Sequence, residues 1–377
     1  MSLLFYDDSP VFGGHEVMAL AGLEAILQRS SETLLFFASH SNEKLLTRLG
    51  EISSRFPHLK IIQLPWESSR FESLRNRFLP SRIHKLADLL RTHNPSLLVA
   101  IQGNIEHSSL SLHAAKHIGL RSVSYIPVPH TNEQMGAKLG KWRDIFCHRL
   151  FTLPDAFITI TDEMGKMLKL RGATSTIHIV YNGIDTTRFQ SGDKNEARTQ
   201  LALPLEKHLL GIVGRIEFRQ KQQHLLIEAI ASQKNLAAAC HLVFAGDGPD
   251  AQALSALISS HQLSVTILPW CDPAPLYRAL DALVIPSRYE GLPLVMLEAL
   301  ASGTAVFGSD RDGMKDVLPS SMRFQPDCPK SLADALSKWF NAKSPPPAED
   351  LVHRVRNTMS LTAFGQSFHD TVQHLRQ

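Results

Sequence analysis

The stretch PSRYEGLPLVMLEALASGTAVFGSDRDGMKD, Pro286 to Asp316, decides the reading of the whole chain. It follows the apolar run ALVIPS, which has the length and composition of a strand buried on both faces. Gly291-Leu292-Pro293 then opens a helix. Pro293 suits the first turn, where a missing N–H is harmless, and Gly303 suits the end. A helix of about ten residues is expected between them, followed by a second strand at TAVFGS. Glu290 lies on the loop before the helix and Glu298 in its second turn, so two acids meet one strand-to-helix junction. The first free N–H groups, those of Leu294 and Val295, would face the mouth of a sheet and suit a phosphate. Glu298 sits among Val295, Met296, Leu297, Ala299 and Leu300, so it is a buried carboxylate that needs partners.

Working outward, short apolar runs alternate with helical patterns, the mark of parallel sheets with helical crossovers. LLFYDD, TLLFFASH, LKIIQLP, LLVAIQG, SVSYIPV, DAFITIT and HIVYNGI read as strands of a first half; HLLGIVGRI, HLVFAGDG, SVTILPW, ALVIPS and TAVFGS repeat the scheme. The expected fold is α/β, with two Rossmann-like doubly wound parallel-sheet domains. Their expected extents are 1–186 and 187–359, with 360–377 as an amphipathic helix carrying Leu361, Phe364, Phe368, Val372 and Leu375 at helical spacing. SPPPAED, from Ser344, reads as a loop.

The 377 residues are too many for one ordinary core and comfortable for two. A net charge of +3 carries no nucleic-acid footprint. The four cysteines, Cys147, Cys240, Cys271 and Cys328, contain no C-x-x-C pair, which argues against a disulfide framework or a zinc site. MSLLFYDDSP reads as a first strand and not as a signal peptide. With no run of about 18 apolar residues to span a bilayer, the expected setting is cytoplasmic.

Ligands of open parallel sheets lie beyond the carboxyl ends of strands, so residues there carry the chemistry. Arg215 and Lys221 follow one strand and can neutralise a diphosphate. Gly246-Asp247-Gly248 forms a tight turn after another. Gly13-Gly14 follows the first strand and opens a helix, permitting a ligand to approach the backbone. His130 ends the fifth strand-like run; His107 is the runner-up, and Arg219 reads as a solvated charge. Asp310-Arg311-Asp312 is a literal Asp-x-Asp, yet with Gly313 beside it a polar loop fits better than a metal site. Residues 66–91 mix arginines with apolar side chains. They read either as an amphipathic surface lying on an anionic bilayer or as ordinary domain helices interrupted by Pro80.

The run 286–316 resembles the E-x7-E signature of retaining nucleotide-sugar glycosyltransferases of the GT-B fold, family 4, also called glycosyltransferase group 1. The resemblance implies two Rossmann-like domains with an interdomain cleft and a C-terminal helix that returns to the first domain. It implies that Glu290 contacts the donor sugar, Glu298 the ribose, and the amides after Gly291-Leu292-Pro293 the diphosphate. Arg215 and Lys221 match the family's cation pair, Gly246 and Gly248 its turn near the nucleotide, Gly13 and Gly14 its donor and acceptor loop, and His130 its active-site histidine. Two departures stand out: Gln222 replaces the usual glycine after the lysine, and Asp312-Gly313 with Asp316 replaces the usual Gly-Gly and glutamate.

The implied activity is transfer of a hexosyl unit from a UDP- or GDP-sugar to a hydroxyl of a saccharide or lipid-linked saccharide, in cell-surface polysaccharide or glycolipid synthesis. No cofactor and no metal are expected. A nucleotide-sugar epimerase of the same fold and a non-catalytic binding subunit are the alternatives.

Overall fold

The inner strands form where the apolar runs are continuous, because they are buried on both faces. In the computed structural model, which describes residues 2–341 and 349–377, thirteen parallel strands make two sheets. The first comprises β1 (Leu3–Asp7), β2 (Leu34–Ser39), β3 (Leu59–Leu64), β4 (Leu97–Ile101), β5 (Ser122–Tyr125), β6 (Ala156–Thr159) and β7 (Thr176–Ile179), in the order β3-β2-β1-β4-β5-β6-β7. The second comprises β8 (His208–Val213), β9 (Cys240–Ala245), β10 (Val265–Leu268), β11 (Ala282–Ile285), β12 (Ala305–Ser309) and β13 (Arg323–Phe324), in the order β10-β9-β8-β11-β12-β13. These are the two doubly wound sheets expected from the apolar runs. Two-residue β13 was not among those runs; it is held by its register against Gly308 and Ser309, by the Arg323–Asp310 ion pair and by the Asp310 N–H donated to Phe324.

The chain divides into two units, residues 1–182 with 362–377, and residues 183–361. In each, strand order reverses beside the first strand, between β1 and β4 and between β8 and β11, which creates a crevice at the carboxyl ends. The helix Leu361–Arg376 completes the first unit. Its Phe368 meets the rings of Phe5 and Tyr125 at 6.4 and 5.7 Å between centroids. Gly22 and Gly365 let this helix approach Gly14–Leu27: a Cβ on Gly22 would lie 2.6 Å from the Phe368 ring, and one on Gly365 2.7 Å from Ala25. Among the described residues no helix is long and apolar enough to cross a membrane.

Residues 66–91 form two helices, Glu72–Phe78 and Pro80–His93, with Pro80 at the start of the second. Part of their basic charge is spent internally. Buried Glu72 takes Arg82 at 2.5 Å and Arg75 at 3.5 Å, and Arg91 pairs with Asp88 at 2.7 Å. Residues 342–348, most of the SPPPAED stretch, lie outside the described residues.

Candidate active site

In the second unit the loops after β8 and β9 are zipped together. Gly214 and Ile216 donate their N–H groups to Ala245 and Asp247 at 2.9 Å each. A Cβ on Gly246 would sit 2.2 Å from the Gly214 carbonyl oxygen, and one on Gly248 2.2 Å from that of Ile216. Both glycines therefore serve first to let two backbones touch, and through them fix the loop carrying Arg215. That guanidinium is 64% exposed and pairs loosely with Glu217 at 3.6 Å.

Lys221 lies deeper. Its Nζ is 2.5 Å from Glu290 Oε1, with the two side chains 24% and 10% exposed. An acid and a cation 69 residues apart thus meet at the mouth of β8 and β11. The surrounding loop is braced: Arg288 donates its N–H to Gln220 at 2.7 Å, and Glu290 donates its N–H to Asp312 Oδ2 at 2.9 Å. Asp312 caps this loop, while Asp310 accepts from Arg323 at 2.5 Å and Arg311 donates to Asp327 at 3.0 Å. The polar-loop reading of Asp-x-Asp fits these contacts. Gln222 adopts φ +50, the left-handed region where glycine is at ease. Its side chain donates to Asp327 at 2.7 Å.

The helix after Glu290 is shorter than expected, eight residues from Leu294 to Ala301, and Pro293 precedes it as N-cap with ψ 120 instead of occupying its first turn. Extended ψ is what the chain needs to leave the Gly291-Leu292 loop. Leu294 and Val295, both half-buried, hold first-turn N–H groups that have no partner within a helix. At the other end Gly303, φ +82, donates to Leu300 at 3.0 Å and Thr304 to Ala299 at 2.9 Å, a Schellman closure. Glu298 keeps different company from Glu290. It accepts from the Tyr277 hydroxyl at 2.7 Å, and Arg188, itself 2.8 Å from Asp272, adds positive potential. Burial nevertheless pushes the Glu298 carboxyl above its usual range.

In the first unit Gly13 caps the helix Gly14–Leu27 and donates its N–H to Glu16 Oε2 at 2.6 Å. A Cβ on Gly14 would meet nothing within 4 Å, so the fold does not require glycine there. His15 reaches Glu16 Oε1 at 2.8 Å, and its ring lies over Gly103, where a Cβ would be 2.5 Å away. His107 bonds to Asn104 at 3.1 Å; burial first, then the positive potential of His15 and Arg143, pulls its imidazole down to about 4. His130 is buried, 4% exposed, beyond β5.

Asp7, Asp8 and Glu16 escaped the sequence reading. All three are buried, Asp7 and Asp8 at the end of β1 and Glu16 on the helix Gly14–Leu27, and a carboxylate oxygen of Asp7, a ring nitrogen of His15 and a carboxylate oxygen of Glu16 lie within 4.8 Å of one another. Burial raises the Asp7 carboxyl, with Glu16 adding to it, and brings Asp8 up to about 6 although it accepts from Ser108 N at 2.8 Å. Two acids ending an apolar strand were the available signal.

Two doubly wound units, with cations and acids gathered at the carboxyl ends of the second sheet, define the GT-B class. The family model described as "Glycosyl transferases group 1" matches residues 193–358 and the one described as "Glycosyltransferase Family 4" matches residues 12–188. The chain belongs to the family 4 glycosyltransferases of the GT-B fold. It is 31% identical over 211 residues, 54% of this chain and 52% of the relative, to the Bacillus subtilis protein described as teichuronic acid biosynthesis glycosyltransferase TuaC. Over 169 residues, 42% of this chain and 34% of the relative, it is 31% identical to D-inositol 3-phosphate glycosyltransferase of Mycobacterium tuberculosis. The matches thus span about half or less of these relatives. Among solved structures, Anabaena HepE in complex with UDP and glucose superposes with TM-score 0.76 at 18% identity, over 99% of this chain and 100% of that one. The lipopolysaccharide outer core galactosyltransferase WaaB superposes with TM-score 0.75 at 17% identity, over 99% of both chains.

Proposed function

We propose that the chain transfers a hexosyl unit, with retention, from a nucleoside diphosphate sugar to a hydroxyl of a saccharide or lipid-linked saccharide. The observation that carries this is the Lys221–Glu290 pair, set just ahead of the helix Leu294–Ala301. Arg215, Lys221 and the N–H groups of Leu294 and Val295 grip the diphosphate and stabilise the charge that develops on it as the anomeric C–O bond breaks. The acceptor oxygen forms the new bond to that carbon, and its proton leaves with the diphosphate. Glu290 and His130 orient the sugar, and Glu298 holds the ribose. Gly13 and Gly14 let donor and acceptor lie against the backbone, and Gly246 and Gly248 keep the nucleotide side of the site in shape.

A UDP-sugar is favoured over a GDP-sugar, because HepE is described in complex with UDP and with UDP-glucose. TuaC, named for teichuronic acid biosynthesis, supports a role in cell-surface polysaccharide synthesis, and a cytoplasmic setting is the one this reading gives it. No metal takes part in this reading, so turnover is unchanged by EDTA.

A thermal-shift screen of UDP- and GDP-sugars finds the donor, since a ligand that binds only the folded state raises the melting temperature. Glu298→Ala then weakens UDP binding, while Glu290→Ala keeps it and lowers turnover. Parent-like activity in both variants overturns the assignment, and donor turnover without an acceptor would indicate an epimerase.

A further inference from the structure

The segment after His130 carries a feature the proposed chemistry does not use. Leu139, Trp142, Ile145 and Phe146 fall at helical spacing on and just before the helix Gly140–Cys147, and the first three are 63%, 62% and 65% exposed. Four large apolar side chains on one face of a short helix exceed the scattered exposure normal for a protein surface. The opposite side of the helix is anchored inward. Arg143 donates from Nε to buried Glu106 at 2.8 Å, and the Cys147 thiol meets Ser73 Oγ at 3.8 Å. The stripe is therefore held outward by a fixed ion pair and is not a frayed end.

Its surroundings are cationic. Lys138, Lys141 and Arg149 are exposed, and only Lys141 has an acidic neighbour among the described residues, exposed Glu133 at 3.4 Å. The acid within the helix, Asp144, is turned away and consumed: it accepts from the Asn132 and Glu133 N–H groups and pairs with Arg171 at 3.0 Å. The neighbouring helix Glu72–Phe78, packed against this one, ends in exposed Arg77 and Phe78. Aromatic and aliphatic side chains rimmed by lysine and arginine complement an anionic lipid interface. They fit a protein partner less well, because such interfaces are depleted in lysine.

We infer that the face of Gly140–Cys147 is a docking surface for an anionic lipid bilayer, and that the acceptor presented to the first unit is carried on that membrane. The second clause rests on the glycosyltransferase reading; the first does not. Flotation of the full chain with vesicles of phosphatidylcholine, alone or mixed with phosphatidylglycerol, tests it. Binding is expected only with phosphatidylglycerol and should weaken with salt. Trp142→Ser with Ile145→Ser, and separately Lys138→Glu with Lys141→Glu, should each lower it on the order of tenfold. All four positions are exposed, so the variants fold, which UDP thermal shift and turnover on a water-soluble acceptor verify. Parent-like flotation of both variants overturns the inference. So does absence of vesicle binding together with self-association that these substitutions abolish, which would make the stripe a contact between copies. Loss of flotation with UDP binding intact separates this surface from the site, whereas vesicle binding without any UDP response sinks the enzymatic reading alone.

Discussion

Lys221 and Glu290 should be energetically coupled in the free protein, and only Lys221 should matter to a bound diphosphate. At 2.5 Å and an effective dielectric near 20, the gross attraction is about 6 to 7 kcal/mol. Desolvation of both ions cancels most of that. Exposed pairs retain roughly 0.2–1 kcal/mol, and removing one partner of a fully buried pair costs about 3–5 kcal/mol. With side chains 24% and 10% exposed, this pair falls between the two limits. A double-mutant cycle of Lys221→Met, Glu290→Gln and the double variant, read from urea unfolding, should give a coupling of about 2 kcal/mol. Titration of the same proteins with UDP by calorimetry adds the functional half. Lys221→Met should weaken UDP at least about tenfold, the value of one charge-assisted hydrogen bond, while Glu290→Gln leaves it within about threefold of the parent. A coupling below about 0.5 kcal/mol refutes the ion pair as a real restraint. Parent-like UDP affinity in Lys221→Met refutes the cation's place at the diphosphate.

Three further tests address the scaffold. At Gln222, φ +50 disfavours any side chain, so Gln222→Gly should be more stable than Gln222→Ala by about 1 kcal/mol, the reverse of the ordinary helix order, in thermal or urea melts. The Asp8 carboxyl, raised by burial to about 6, holds its proton more tightly in the folded than in the unfolded chain. Stability should therefore fall as pH rises from about 4 to about 6, by up to about 3 kcal/mol, and Asp8→Asn should remove that part of the slope in urea midpoints measured across the range. Finally, Gly248→Ala should lose at least about 2 kcal/mol through its clash with Ile216. Gly14→Ala, with open space around it, should gain about 0.5–1 kcal/mol yet lower turnover where a ligand needs that space.

Twelve of the thirteen strands were legible because the inner ones are continuous apolar runs buried on both faces, while the edge strands β3, β7 and β10 are half-exposed yet keep enough apolar residues to show. β13 was not, since two residues show no period and its existence depends on Gly308 and Ser309. The start of the helix after Glu290 was misplaced by one residue: composition favours Pro293 inside the first turn, but its ψ of 120 belongs to the loop. Glu290 and Lys221 were each readable from local spacing, whereas their contact is a property of the β8–β11 neighbourhood. The same holds for Asp8 with Ser108, 100 residues away, and for Glu106 with Arg143, 37 residues away. Gln222 is the instructive exception. A departure from the expected glycine left the backbone open, and the chain adopts a left-handed conformation there, with a side-chain hydrogen bond to Asp327 in place of conformational freedom.

The second unit begins and finishes at one spot, where Ile184 donates its N–H to the Met359 carbonyl and accepts from Leu361 N, each at 2.9 Å. Because residues 183–361 are one continuous stretch, this unit has all its own residues as soon as Leu361 is made, and its ends can then meet. The first unit, by contrast, must wait. Its helix Leu361–Arg376 is made only after the whole second unit, and until Phe368 arrives the slot beside Gly22, Phe5 and Tyr125 stays open to water. The half of the protein that is translated first is thus the half that matures last, and it is where a chaperone would have reason to bind.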